Sequence, residues 1–282
     1  MHLRSILAAA DDSEEGRAAI TSALRLAHAT GGSVAILTVI TVGQTEAASR
    51  RSADLLQRHT SLALAELAGP PPVTHVEVVG LPGIEIGRVA EARGADLIIL
   101  GRKRRIDGVR LLVGDTADAV ARRSALPCLF VPVGLGELNR VVAALDGTER
   151  GFAVLRAAVA FTREIGGRLR TVTVEPVNGG DGDLPDVPSG RSAKLACAIR
   201  ALHSFPDGVA GNRGRIVAEQ EELLVVRRGG VVEEITREVD RSGAEVLVVG
   251  YHRGGQAGLI ENGSVSRRLT HEAPCAVLTI PL

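Results

Sequence analysis

Two stretches of this chain follow one plan. Ala95-Asp-Leu-Ile-Ile-Leu-Gly101 leads through a loop to Gly114-Asp115-Thr116, and Ala244-Glu-Val-Leu-Val-Val-Gly250 leads to Gly263-Ser264-Val265-Ser266. Twelve residues separate the two glycines in each copy. A strand-length apolar run ending in glycine, then a glycine that opens a helix, is how α/β sheets present backbone N–H groups to an anion. Because the element occurs twice in 282 residues, the chain is expected to be two copies of one α/β unit. Each copy, at roughly 140 residues, is long enough to bury a core of its own.

The order of elements around each glycine loop repeats as well. The first copy opens with a small-apolar run at residues 5–10, which reads as a buried parallel strand. Asp11-Asp12-Ser13-Glu14-Glu15 supplies a helix cap and first-turn carboxylates, and Gly31-Gly32 stops that helix. A strand at 34–40, a helix at 45–68, a strand at 76–79 and a helix at 84–93 precede the glycine loop, and a helix at 116–124 and a strand at 128–133 follow it. In the second copy, residues 141–145 lead to Asp146-Gly147-Thr148, a helix through Phe161, a Gly166-Gly167 stop and a strand at 169–174. Residues 178–190 are rich in turn formers. A helix at 192–202, strands at 223–226 and 275–280, and helices at 231–241 and 264–269 complete the copy. The boundary falls at 134–138, giving domains 1–134 and 139–282. Alternating strands and helices imply doubly wound parallel sheets, with ligands at the C-terminal strand ends. In the strand order 3-2-1-4-5, Asp11 would share a crevice with Gly101, and Asp146 with Gly250.

Composition removes several function classes. Net charge is zero, with no Trp, one Tyr and four Phe. Neither electrostatic capture of nucleic acid nor base stacking is favoured by that balance. No apolar run is long enough for a membrane span, and the early acidic pair argues against a secretory leader. Cys128 and Cys275 each follow a proline and open apolar runs, which reads as buried thiols in a reducing, cytoplasmic setting. Acidic turn residues stand where a dinucleotide fold needs Gly-x-Gly-x-x-Gly, Gly-Lys-Ser/Thr is missing, and no metal spacing of His or Cys occurs. His28, His59, His75, His203, His252 and His271 are scattered without a paired nucleophile; only His252 falls in a glycine loop.

These residues resemble the universal stress protein family in its tandem two-domain form. The features that match are the first strand ending in Asp146-Gly147-Thr148 or Asp11-Asp12-Ser13, and the glycine loop after the fourth strand, comparable to Gly-x2-Gly-x9-Gly-Ser/Thr. The resemblance implies an adenine nucleotide alpha hydrolase-like fold that holds ATP or another adenine nucleotide, with Mg. Adenine would lie near Val39 or Val174, and the phosphates between the first Asp and the loop, with Asp146 toward the nucleotide-bound magnesium. In the second copy the implied set is Asp146, Val174, Gly250, Arg253, Gly263, Ser264, Val265 and Ser266; in the first it is Asp11, Val39, Gly101, Gly114 and Thr116. Arg253 stands where the second loop glycine belongs, although Gly254-Gly255 follow. The first copy departs further: Arg104 replaces that glycine, and Asp115 replaces the hydroxyl residue, where a carboxylate would cap the helix and repel phosphate. The second copy is therefore the better candidate, and the basic run 102–105 reads as solvated loop charge. Nucleotide binding or sensing is expected, because no water-positioning residue for phosphoryl transfer is identifiable. A nucleotide-free interaction module and a slow ATPase are the alternatives. Family resemblance also implies pairing through the last strand of each copy, an intrachain pseudo-dimer with an unidentified protein partner, and leaves pairing of whole chains as a homodimer open.

Overall fold

A computed structural model describes residues 1–103, 115–175, 195, 197, 199, 224–252 and 265–282. The first half runs β1 (Ser5–Ala9), α1 (Glu14–Thr30), β2 (Ser33–Ile40), α2 (Glu46–Ala65), β3 (Val73–Val79), α3 (Pro82–Ala92), β4 (Leu97–Arg102), α4 (Asp115–Arg123) and β5 (Cys128–Pro132). The second runs β6 (Arg140–Ala144), α5 (Glu149–Ile165), β7 (Arg168–Glu175), β8 (Leu224–Arg228), α6 (Val231–Ser242), β9 (Val246–Tyr251), α7 (Val265–Glu272) and β10 (Ala276–Pro281). Leu195, Cys197 and Ile199 are helical, with Leu195 and Ile199 buried. The turn-rich segment 178–190 and the rest of the helix expected at 192–202 lie outside the described residues.

The ten strands among the described residues form one sheet in the order β3-β2-β1-β4-β5-β10-β9-β6-β7-β8. Each half thus has the order 3-2-1-4-5 with parallel neighbours, and the halves join where β5 meets β10 antiparallel. The cause is visible in the strands. β1 and β4 are buried on both faces, which requires continuous apolar runs and a helix layer on each side. Side chains alternate: Ile6 and Ala8 enter a core with α1, whereas Leu7 and Ala9 enter a core with α3 and α4. Full burial of each such Leu or Ile contributes roughly 1.5–3 kcal/mol. The core on the α1 and α5 face runs unbroken through both halves, while the opposite face holds two separate clusters. Tyr251, from β9, belongs to the first half's cluster.

Matching polar devices position the crevice strands. The Asp96 carboxylate accepts from the backbone N–H groups of Arg4 and Ser5, both at 2.9 Å. Glu245 does the same for Asn139 and Arg140, at 2.7 and 2.9 Å. These contacts lock the start of β1 beside β4, and of β6 beside β9. α1 and α5 both end in a left-handed glycine cap, Gly31 at φ 69° and Gly166 at φ 65°.

Cys128 and Cys275 are not equivalent, contrary to the matching Pro-Cys pairs in the sequence. Leu129 stands opposite Leu278 in the β5–β10 ladder, and their spacing is the same 149 residues that separates Asp118 from Arg267. Under that offset Cys128 corresponds to Val277, so the two prolines are out of phase. Cys275 lies one residue before β10 rather than opening it. Both thiols are buried, and burial pushes each up to about 12.

Candidate functional site

At the C-terminal end of β1, the Asp11 carboxylate accepts from the N–H of Ser13 at 3.2 Å and from the Ser13 hydroxyl. The Ser13 oxygen accepts in turn from the N–H of Gly16 at 3.0 Å. The second half repeats the chain of bonds. Asp146 Oδ1 accepts from Thr148 N at 3.0 Å and Thr148 Oγ1 at 2.7 Å, and Thr148 Oγ1 accepts from Gly151 N at 3.4 Å. In each half an exposed carboxylate is thus fixed at the mouth of a helix N-terminus, its hydroxyl neighbour serving as the cap.

Gly16 and Gly151 make this geometry possible, and the sequence reading passed over both. A Cβ on Gly16 would lie 2.2 Å from the Asp11 carbonyl oxygen, and one on Gly151 would lie 2.6 Å from Asp146 Oδ1. The signal was available: Asp-x-Ser/Thr-x-x-Gly occurs at the end of the first strand in both copies.

The next-to-last residues of β4 and β9, both glycines, face these helix starts. A Cβ on Gly101 would come within 2.1 Å of the Glu15 backbone oxygen. A Cβ on Gly250 would instead meet side chains, Leu282 Cδ1 at 2.5 Å and Val154 Cγ2 at 3.0 Å. Gly101 is therefore demanded by packing of backbone on backbone, whether or not a ligand binds. In the second half Ser266 donates its hydroxyl to the Gly250 carbonyl at 2.5 Å, tying the start of α7 to the end of β9. Ala117, the first half's counterpart under the 149-residue offset, has no hydroxyl to do this.

The second half accordingly brings Asp146, Gly250 and Ser266 to the same strand ends, with half-buried Val174 near the end of β7. Val265 opens α7 and is 39% exposed. Gly263, Ser264 and Arg253 lie outside the described residues. In the first half Asp11, Gly101, half-buried Val39 and half-buried Thr116 are described, while Gly114, Arg104 and the side chain of Asp115 are not. The rims differ in charge. Arg150, on the first turn of α5, reaches His252 just beyond β9, Nη1 to Nδ1 at 3.4 Å. Glu15 holds the matching place on α1, two residues after the cap. Sequence reading noted His252 in the loop and expected Asp146 and Gly250 to share a crevice, but missed Arg150, because no local pattern marks which first-turn side chain of α5 turns toward β9.

Among the described residues no group of three or more His, Cys, Asp or Glu side chains is gathered for a metal. Among them, too, no helix is long and apolar enough to cross a membrane. The arrangement offers a carboxylate, a helix start and a basic rim at one crevice.

Comparison with known proteins agrees with this architecture. No match was found among curated proteins. A universal stress protein from Archaeoglobus fulgidus DSM 4304 superposes with a TM-score of 0.73 at 17% identity, covering 100% of this chain and 99% of that one. A functionally unknown protein from Pseudomonas aeruginosa PAO1 gives 0.66 at 19% identity, covering 99% and 92%. A universal stress protein solved in complex with cAMP aligns with 48% of this chain and 100% of its own length, at 23% identity and a TM-score of 0.39. The family model described as the universal stress protein family matches residues 2–132 and again 137–281, and the chain belongs to that family.

Proposed function

We propose that this is a stress-response protein that binds or senses ATP or a related adenine nucleotide, mainly through its second domain, without committed catalysis. The domains are residues 1–134 and 139–282. One observation carries the choice of domain: in the second half an ordered carboxylate, the β9–α7 tie through Ser266 and the Arg150–His252 rim converge on one crevice. A cationic rim favours a polyphosphate, whereas Glu15 at the matching place disfavours it. Backbone N–H groups at residues 263–266, with Arg253, would take the phosphates; Val174 would border the adenine, and Asp146 would face any nucleotide-bound magnesium. Occupancy would change a partner-facing surface, in a cytoplasmic setting.

A second reading is a nucleotide-free interaction module. It draws support from Gly101, whose presence packing alone explains. Titration with ATP and magnesium, followed by calorimetry and thermal shift, separates the two. A ligand at a hundred times its Kd adds about 2.7 kcal/mol of stability. The binding reading expects such a shift in the wild type and its loss in Ser264→Asp, which copies the first half's acid. No shift at millimolar ATP would establish the module instead. Phosphate release that vanishes in Asp146→Ala would promote a slow ATPase over both.

A further inference from the structure

The two halves meet across a near-twofold relation that places equivalent residues face to face, and the polar pairs so formed are unlike. Leu129 opposes Leu278 in the ladder. Alongside it, Asp118 on α4 receives Arg267 on α7, Nε to Oδ2 at 2.9 Å, and these two are equivalent under the same 149-residue offset. Asp118 is 5% exposed, and His271 Nε2 lies 3.2 Å from its other oxygen. Arg122 is the first half's counterpart of His271, and it too leans on Asp118, at 4.0 Å.

The next equivalent pair is Arg102 and Tyr251, the last residues of β4 and β9. Arg102 is not the solvated loop charge expected from the sequence: it ends β4, is 2% exposed and crosses the seam, because carbonyls of the other half satisfy its guanidinium. Its guanidinium donates to the carbonyls of Thr270 and His271 at 3.0 and 3.2 Å, and of Ala273 and Cys275 at 2.8 and 2.7 Å. A cation set against the last carbonyls of a helix is favourable. Tyr251 makes the reciprocal crossing but enters an apolar cluster with Cys128 and Phe130.

Pairing of like with like would undo the Asp118–Arg267 contact and the seating of Arg102, although in two first halves Arg122 would take the place of His271 beside Asp118. Two first halves would set Asp118 against Asp118 and bring Arg102 onto the last turn of α4, which carries Arg122 and Arg123. Two second halves would set Arg267 against Arg267. Two acids buried as Asp118 is cost several times what an exposed pair gains, because burial reduces screening, whereas two arginines as exposed as Arg267 repel less. We propose that Asp118, Arg267 and Arg102 select the partner at this seam, so that the face accepts the unlike half and refuses a second copy of its own. The tether then decides which unlike half is chosen, by holding one at high effective concentration.

Charge reversal in the full-length chain tests this. Asp118→Arg and Arg267→Asp each create the like-charged axis that a homotypic pair would have, and the double variant restores an opposite pair. Each single change is expected to lower Tm by roughly 3–6 °C and to speed amide exchange in β5 and β10 by about tenfold. The double variant is expected to regain at least half of both losses. Arg267→Asp keeps the test open if Asp118→Arg does not fold, because the Arg267 side chain is 49% exposed. Single variants as stable and as protected as wild type would overturn the proposal. So would a double variant no better than the worse single.

Discussion

Gly101 and Gly250 look alike in sequence but tolerate a methyl group differently. At Gly101 the new atom meets backbone, which cannot rotate away; at Gly250 it meets the ends of Leu282 and Val154. Gly101→Ala is therefore expected to destabilise by roughly 1–3 kcal/mol, as overpacking does, and Gly250→Ala by clearly less. Urea denaturation of both variants checks the order, and a larger loss at Gly250 would refute it. The cysteines separate by the same logic of surroundings. Cys128 and Cys275 are buried with thiols pushed up to about 12, while Cys197 is exposed. Native protein should react with a thiol reagent at one of its three cysteines, and at all three once denatured. Fast native labelling of Cys128 would contradict the placement of β5.

At the scale of elements, α6 is fastened to the sheet by charge as well as by its apolar stripe. Val232, Ile235 and Val239 enter the second half's core. From the same helix Glu238, 1% exposed, takes Arg170 of β7 at 3.1 Å and Arg227 of β8 at 2.6 Å. Only the acid is buried, and the two arginines keep side-chain exposures of 36% and 29%, so Glu238→Ala should cost about 1.5–3 kcal/mol, the worth of charged hydrogen bonds. A denaturation midpoint near wild type would show that both arginines relax into water. The amphipathic spacing of this helix was readable from the sequence. The buried acid was not, since its partners lie on β7 and β8 and only the strand order makes them neighbours. The same distinction holds at the crevice. Caps such as Ser13 and Thr148 are local, and their residues announce them. The Arg150–His252 contact spans two elements far apart in the chain, and nothing local signals it.

Across the whole molecule, the seam makes stability depend on pH at both extremes. The only tyrosine, Tyr251, sits there, and its phenol is held above the ordinary value, mainly by burial and next by the Asp118 charge. A raised folded value means the contribution is intact below about pH 10, the unfolded value, and is lost as pH climbs through the folded one. Asp118 behaves in the opposite sense. Burial by itself raises its carboxyl, but the His271 hydrogen bond and charge, with Arg267, outweigh that and leave it lowered. Its contribution is present above about pH 4 and disappears as pH falls through the lowered value. Alkaline titration of phenol absorbance should therefore give a single transition displaced upward, which Asp118→Asn moves back toward the ordinary value. An unshifted phenol in the wild type would mean that Tyr251 is not buried at the seam.

The amino-acid sequence by itself determined that there are two copies, that each alternates strand and helix, and where the acidic turns and glycine ends fall. Those properties follow from periodicity, caps and turn residues within a few positions of one another, which depend on local backbone preference. Tertiary structure decided the rest: that Gly101 packs on Glu15 while Gly250 packs on side chains, that Cys128 and Cys275 are out of phase, and that Asp118 meets Arg267. Each of those needs two segments brought together by strand order and register, and interactions that distant in the chain are set by burial of the joined sheet rather than by any local signal.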